Sequence, residues 1–302
     1  MSEFALIAAI RRVLTQPTSD VVVGIGDDAA VLRAGDGALV WTIDAQVEGV
    51  HFRRDWLSWA DVGYRSMMAA ASDLAAMGAK PVGALAALTV SRGFCEAMLV
   101  ELAGGQREAG ELLGCPVIGG NISSGDTFSV TTTVLGRAEK PLLRSGARPG
   151  NLVQVAGRLG DAALGLRHLL AAHNGGAGVV AWRRPLAQID AGLRARARAT
   201  SAIDVSDGLG QDVEHLARAS GVRVLLHEAQ LLLCAPALPE RDALALALGG
   251  GEDYALVVTS DERVEGFEPI GVVTEGEGVF VKCLDGREMP QAALASGYVH
   301  SV

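Results

Sequence analysis

Five short stretches set carboxylates beside small or hydroxyl-bearing residues: Asp27-Asp28, Thr42-Ile43-Asp44, Ser72-Asp73, Asp204-Val205-Ser206-Asp207-Gly208 and Gly249-Gly250-Gly251-Glu252-Asp253. Magnesium prefers oxygen ligands in octahedral geometry and usually combines one or two carboxylates per ion with waters and substrate phosphates. Aspartates scattered in this way suit a multi-metal phosphate site, provided the fold brings them together. Asp27 and Asp28 follow the run Val21-Val22-Val23 through the glycine turn Gly24-Ile25-Gly26. Two adjacent carboxylates repel, so their ionised forms require a cation or hydrogen-bond donors nearby.

Asp73 is the most informative single acid. It sits in Met-Met-Ala-Ala-Ala-Ser-Asp-Leu-Ala-Ala-Met, a stretch whose composition predicts burial. A buried carboxylate is costly unless it takes up a proton, finds a cation or is hydrogen-bonded. Metal ligation and a structural hydrogen bond both satisfy that requirement. For Asp204 and Asp207 the competing role is helix capping, which explains one acid after an apolar strand but not two flanking a serine. Gly119-Gly120-Asn121 reads either as a plain turn or as a glycine pair on which a nucleotide lies close to the backbone. His51 and the linker residues Arg144 and Arg148 are either phosphate contacts or ordinary structural and solvated side chains. The remaining histidines form no H-E-x-x-H pair.

The elements that must position these residues follow from periodicity and punctuation. Phe4, Ile7, Ile10 and Leu14 predict a helix over 3–15, ended by Pro17. Strands are expected at 21–25, 30–33, 38–43, 82–90, 116–118 and 128–135, with helices over 61–77 and 95–113, the latter stopped by Gly114. The segment 141–151, with two prolines and two glycines, marks a domain junction that separates residues 1–140 from 141–302. Beyond it come a strand at 152–156, helices at 161–172, 187–199, 207–220 and 240–248, and strands at 222–226, 254–259, 269–274 and 278–284. Gly175-Gly176-Ala177-Gly178 reads as a flexible tip. The whole is a mixed α/β chain of α+β type in two parts.

Bulk composition narrows the chemistry. The chain has 302 residues, 49% of them hydrophobic, and a formal charge of −9. Binders of nucleic acid carry basic stripes, and single-strand binders need aromatic platforms; here aromatics make up only 4%. The lysines are Lys80, Lys140 and Lys282, none in a P-loop, so a lysine-cradled phosphate site is excluded. Any phosphate must instead be held by metals or by a few arginines. Cys95, Cys115, Cys234 and Cys283 are widely spaced with no C-x-x-C pair, as expected in a reducing compartment. No apolar run reaches the roughly 18 residues that cross a bilayer, and no signal-peptide pattern opens the sequence. The expected address is the cytoplasm, with no membrane or nucleic-acid partner.

Taken in order, GIGDDAAV (24–31), the run from Asp44 through EGVHF (44–52), SDLAAMGAKP (72–81), IGGNIS (118–123), RSGARPG (144–150), DVSDGLGQD (204–212) and GGGEDYAL (249–256) resemble the thiamine-monophosphate kinase family. That family is part of the superfamily of AIR synthetase, selenophosphate synthetase and the hydrogenase-maturation dehydratase. The resemblance spans nearly the whole chain. It implies a two-domain AIR synthetase-like fold, with a β-rich α/β N-terminal domain that forms a homodimer and an α+β C-terminal domain. It also implies ATP-dependent phosphorylation of thiamine monophosphate with several Mg²⁺ ions. Carried over by position, Asp28, Thr42, Ile43, Asp44, Asp73, Asn121, Asp204 and Asp207 match metal ligands. Gly120, Asn121, Arg144 and Ser206 match nucleotide contacts, and His51, Glu252 and Tyr298 match contacts to the thiamine phosphate.

Three positions depart from the family pattern. Ile43 stands where a second threonine is frequent, so only its backbone oxygen could reach a metal. Ala70 replaces an asparagine, and Asn121 a frequent aspartate. These changes bear on the number and affinity of the ions more than on the reaction. The EGVHF and GGGEDY segments favour this family over an aminoimidazole ribonucleotide synthetase-like ligase. The lack of a cysteine near the N-terminal glycine segment disfavours a selenophosphate synthetase. A non-catalytic sensor would not need so many carboxylates.

Overall fold

The computed structural model describes residues 12–14, 21–23, 31–32 and 35–295. By contact density the chain divides into two compact units, Met1–Leu74 with Lys80–Glu139 and Ala75–Ala79 with Lys140–Val302.

In the first unit, strands β1 (Val21–Val23) and β2 (Val31–Leu32) pair antiparallel. Asp27 and Asp28, between them in sequence, lie outside the described residues. A four-stranded sheet follows, in the order β3 (Ala38–Val47), β6 (Ser129–Ala138), β4 (Lys80–Val90), β5 (Val117–Ser124). Only the β4–β5 pair is parallel. Helix α1 (Trp59–Ala76) and helix α2 (Glu96–Leu113) complete the unit.

Helix α1 begins with a capping box. The Ser58 hydroxyl accepts the Asp61 amide at 3.1 Å, and the Asp61 carboxylate accepts the Ser58 amide at 3.2 Å. From residue 62 to residue 72 every position is buried. An all-round apolar surface is what permits a helix to be enclosed on every side, and the run of Ala and Met supplies both that surface and high helix propensity. Helix α2 stops where Gly114 adopts φ 62 and its amide bonds back to Glu111.

The second unit is built on a seven-stranded sheet, ordered β13 (Glu288–Pro290), β12 (Gly278–Lys282), β9 (Arg223–His227), β11 (Glu268–Thr274), β7 (Leu152–Ala156), β10 (Ala255–Ser260), β8 (Ala199–Val205). All pairs are antiparallel except β9 with β12. Its helices are α3 (Asp161–Leu170), α4 (Ala177–Arg183), α5 (Ile189–Ala195), α6 (Leu209–Ser220), α7 (Glu228–Cys234) and α8 (Glu240–Gly249). Val155, Ile203, Leu209, Leu216, Leu226 and Val257 form its core, each at most 1% exposed.

Four sequence expectations are corrected here. The helix read over 187–199 is the shorter α5, and residues 199–205 are strand β8 instead. The expected glycine tip at 175–178 runs into helix α4. Residues 228–234, unassigned from sequence, form α7. Strand β5 extends through Gly119-Gly120-Asn121, so the turn reading is overturned. A Cβ at Gly120 would lie 1.9 Å from the Ala86 carbonyl oxygen, so β4 itself is the close neighbour that requires glycine there. Among the described residues no helix is long and apolar enough to cross a membrane.

Candidate active site

In the first unit, β3 presents alternate side chains to α1. Odd positions Leu39, Trp41 and Ile43 face outward and are 64%, 71% and 68% exposed, while Val40 and Gln46 are buried. Thr42 and Asp44 share the inward face. The Thr42 hydroxyl donates to Asp73 Oδ2 on α1, joining residues 31 positions apart in sequence. Asp44 is held by a relay: Gln46 Nε2 donates to Asp44 Oδ1 at 3.0 Å, and Arg65 Nε donates to Gln46 Oε1 at 3.3 Å. Gln46 and Arg65 are 2% and 1% exposed, so the relay is enclosed and fixes the direction of the carboxylate. Both residues escaped the sequence reading.

The turn after β3 places His51, whose Nδ1 accepts the Val47 amide at 3.1 Å. That bond puts the proton on Nε2 in the neutral ring. Phe52, buried beside Phe128, anchors the same turn. Asn121 is exposed on the edge strand β5. Ile43 points its side chain away from Asp44 and Asp73, leaving the backbone oxygen as its one usable donor.

The second unit contributes the C-terminal end of β8. Asp204 is 6% exposed, and Ser206 and Asp207 follow in the turn before α6. That turn is organised by Asp212, an acid the sequence reading passed over. Its Oδ2 accepts the amides of Ser206, Asp207 and Gly208, each at 3.1 Å. Burial first, then the charge of Asp204, pushes the Asp212 carboxyl up to about 7, against the opposing pull of the Asp207 and Gly208 amides.

The loop at 249–254 packs backbone against backbone on this turn. Glu252 N–H donates to Ser206 O at 2.7 Å, and Tyr254 N–H to Val205 O at 2.9 Å. A Cβ at Gly251 would come within 2.6 Å of the Ser206 oxygen. Glu252 and Tyr254 both have positive φ, 67° and 48°. Left-handed backbone costs a non-glycine residue about 1–2 kcal/mol and persists where neighbours over-determine it.

Those neighbours can be named. Asp253 accepts the Gly160 and Ala162 amides at 2.5 and 2.9 Å, capping α3 from a distant loop. Glu252 Oε2 accepts Trp182 Nε1–H at 2.8 Å. Arg144 is exposed on a loop held by Ser220, whose hydroxyl donates to the Arg144 carbonyl at 3.1 Å. Tyr298 lies outside the described residues.

Chemically, the oxygen donors of each unit, taken by itself, fit a hard cation. Thr42, Asp44 and Asp73 in one unit, and Asp204 and Asp207 in the other, offer hard oxygen donors and no sulfur. Among the described residues no three His, Cys, Asp or Glu side chains gather closely enough to hold a metal by themselves.

Relatives identify the family. Residues 26–138 match the AIR synthase related protein, N-terminal domain. A thiamine-monophosphate kinase of Mycobacterium tuberculosis is 34% identical, covering 95% of this chain and 89% of that protein. The chain belongs to the thiamine-monophosphate kinase family. The family member from Aquifex aeolicus is 34% identical over 96% of each chain. A crystal structure of thiamine-monophosphate kinase from Stenotrophomonas maltophilia K279a superposes with a TM-score of 0.83 at 31% identity, covering 95% of this chain and 98% of that one. The complex of AaThiL with AMPPCP and TMP gives 0.78 at 32%, covering 99% and 97%. Hydrogenase maturation protein HypE in complex with ATP shares the fold at 17% identity, with a TM-score of 0.79.

Proposed function

We propose that the protein transfers a phosphoryl group from ATP to thiamine monophosphate, giving thiamine diphosphate and ADP. The observation that carries this reading is the full-length similarity to thiamine-monophosphate kinases, together with the Thr42–Asp73 bond in one unit and the Asp212-held turn of Ser206 and Asp207 in the other, both at motif positions. The acceptor is a phosphate monoester, ionised and nucleophilic near neutral pH, so no covalent nucleophile and no strong general base is assigned. The difficulty is bringing two polyanions into line.

In this reading Asp28, Thr42, Asp44, Asp73, Asn121, Asp204 and Asp207, with the Ile43 backbone oxygen, hold Mg²⁺. When bound, Mg²⁺ neutralises phosphate charge and fixes the transferring group in line. Thr42 and Asp73 keep each other's oxygens aimed to one side of β3, and Gln46 and Arg65 do the same for Asp44. Gly120, Asn121, Arg144 and Ser206 receive the nucleotide. His51, Glu252 and Tyr298 receive the acceptor, with His51 Nε2–H as a donor to its phosphate.

Residues 1–140 serve as the metal, nucleotide and dimer domain, and residues 141–302 as its α+β companion, in a cytoplasmic enzyme. The outward row Leu39, Trp41 and Ile43 is a contiguous apolar stripe of the kind that marks an interface, and a second copy of the same sheet is its natural cover. The double variant Leu39→Glu/Trp41→Glu is therefore expected to run as a monomer in light scattering, while the wild type runs at twice the 31.2 kDa chain mass. A wild type at single-chain mass excludes the dimer.

The test of function is chromatographic. Purified protein with ATP, Mg²⁺ and thiamine monophosphate is expected to form thiamine diphosphate, and EDTA is expected to stop it. Binding of both ligands with no product would overturn the kinase reading.

A further inference from the structure

We infer that Trp182 is a positioning residue for the acceptor, acting through Glu252. Its indole N–H fixes the Glu252 carboxylate so that the site prefers a cationic, hydrogen-bond-donating heterocycle to a neutral one. The inference rests on the kinase reading above and adds to it the feature of the acceptor that is selected.

Glu252 sits on left-handed backbone, φ 67, in a loop pinned on both sides. Its own amide is tied to Ser206 O, the next residue caps α3 through Gly160 and Ala162, and Tyr254 is tied to Val205 O. The backbone therefore has one conformation, and the remaining freedom is in the side chain. Glutamate has three rotatable side-chain bonds, and an exposed one samples many rotamers. Here Oε2 accepts Trp182 Nε1–H at 2.8 Å. Trp182 is itself immobile: it lies on α4 and is 2% exposed. A buried indole N–H needs a partner, but a backbone carbonyl would satisfy it. Supplying a carboxylate, on a residue whose backbone is strained, places a fixed negative charge at the edge of the Ser206–Asp207 turn.

The indole takes one of the roughly four acceptor positions of a carboxylate. What a carboxylate so held can favour is set by charge. It repels a phosphate and attracts a cation or an N–H donor. Thiamine monophosphate carries both kinds of group: an anionic monoester at one end, and a thiazolium with an aminopyrimidine at the other. Glu252 is thus matched to the heterocyclic end, with the phosphate end left to the donors and metal ligands. Pinning of the loop to α4 is the purely structural alternative, and it predicts a loss of stability without a change in acceptor preference.

The experiment compares wild type, Trp182→Phe, Glu252→Gln and the double variant. KM and kcat are measured for thiamine monophosphate and for ATP, alongside turnover of the phosphate monoester of neutral hydroxyethylthiazole. Wild type is expected to prefer thiamine monophosphate over the neutral ester. Trp182→Phe is expected to raise KM for thiamine monophosphate about tenfold, leaving KM for ATP and kcat within about twofold, and to shrink the preference. Glu252→Gln is expected to shrink it further. The double variant should match Glu252→Gln, because Trp182 acts only through that carboxylate.

Multiplicative effects in the double variant, or an unchanged acceptor KM in Trp182→Phe, overturn the inference even if the melting temperature falls. If Trp182→Phe does not fold, Glu252→Gln decides alone: an unaltered preference between the two acceptors overturns the inference. Inactive wild type would instead defeat the kinase reading itself.

Discussion

Asp73→Asn is expected to lower kcat/KM by about 10³-fold at low millimolar Mg²⁺, with little change in melting temperature. The geometry separates the two halves of that statement. Asp73 Oδ2 accepts the Thr42 hydroxyl, and asparagine keeps an oxygen that can accept the same bond. Its neighbours on α1, Ser72 and Leu74, are fully buried and remain so. The fold therefore loses at most a fraction of one hydrogen bond, about 1 kcal/mol. The site loses a full negative charge at a position where phosphate charge must be offset by cations. Removing one preorganised electrostatic partner from such a site costs about 10²–10³ in rate, and a carboxylate that ligates belongs at the upper end. Steady-state kinetics against Mg²⁺ concentration and a thermal melt on the same preparation check both halves. Undiminished activity with a lowered melting temperature would make Asp73 a structural residue that steadies β3 against α1.

Asp73 also shows what the sequence made legible. The Ala/Met-rich run predicted a buried helix, and residues 62–72 of α1 are buried as that composition requires, although Asp73 itself is only half-buried and meets Thr42. Thr42 and Asp44 stood in one motif, but the expected strand stopped at 43; β3 runs on to Val47, and side chains two apart on it share a face. The start of strand β8 was not legible: Ala199-Thr200-Ser201 follows an Arg- and Ala-rich helical pattern, and pairing with β10 decides its state.

Helix α4 was missed for a different reason. Gly178 reads as a flexible residue, but a Cβ there would come within 2.9 Å of the Gly165 amide nitrogen, and one on Gly165 within 2.0 Å of the Gly178 oxygen, so both glycines serve close packing between α3 and α4. Trp182, four residues further along the same helix, carried no signal of its own. Asp212 had no sequence signal of its own, because an acid in the first turn of a helix looks like a response to the helix dipole. Its side chain turns back to gather the three amides of residues 206–208, an arrangement visible only in three dimensions. Motif order made the family recognisable. The residues that hold the motif side chains in place come from outside the motifs, or from positions in them that look structural.

Asp253 sets two effects against each other, and pH decides between them. Two amides at the start of α3 and the helix dipole favour its ionised form, while burial and the nearby charges of Asp161 and Glu252 favour the neutral acid. Burial prevails, lifting the carboxyl from 3.8 to about 7. The unfolded chain releases this proton near pH 4 and the folded protein only near pH 7. Between those values the folded state binds more protons, so stability falls as pH rises. The contribution is fully present below about pH 4 and is lost by the time pH passes 7. Its slope is up to about 1.4 kcal/mol per pH unit.

Asp212, raised in the same direction, adds a similar slope, so the two must be separated. Urea denaturation of wild type and Asp253→Asn in EDTA, at intervals from pH 4.5 to 6.5, does so. Asp212 is present in both proteins and cancels in the difference. The stability advantage of wild type over Asp253→Asn is expected to shrink as pH rises. A constant advantage would mean that Asp253 titrates alike in both states. An advantage that grows with pH would mean that the Gly160 and Ala162 amides hold the carboxylate ionised and that the helix terminus outweighs burial.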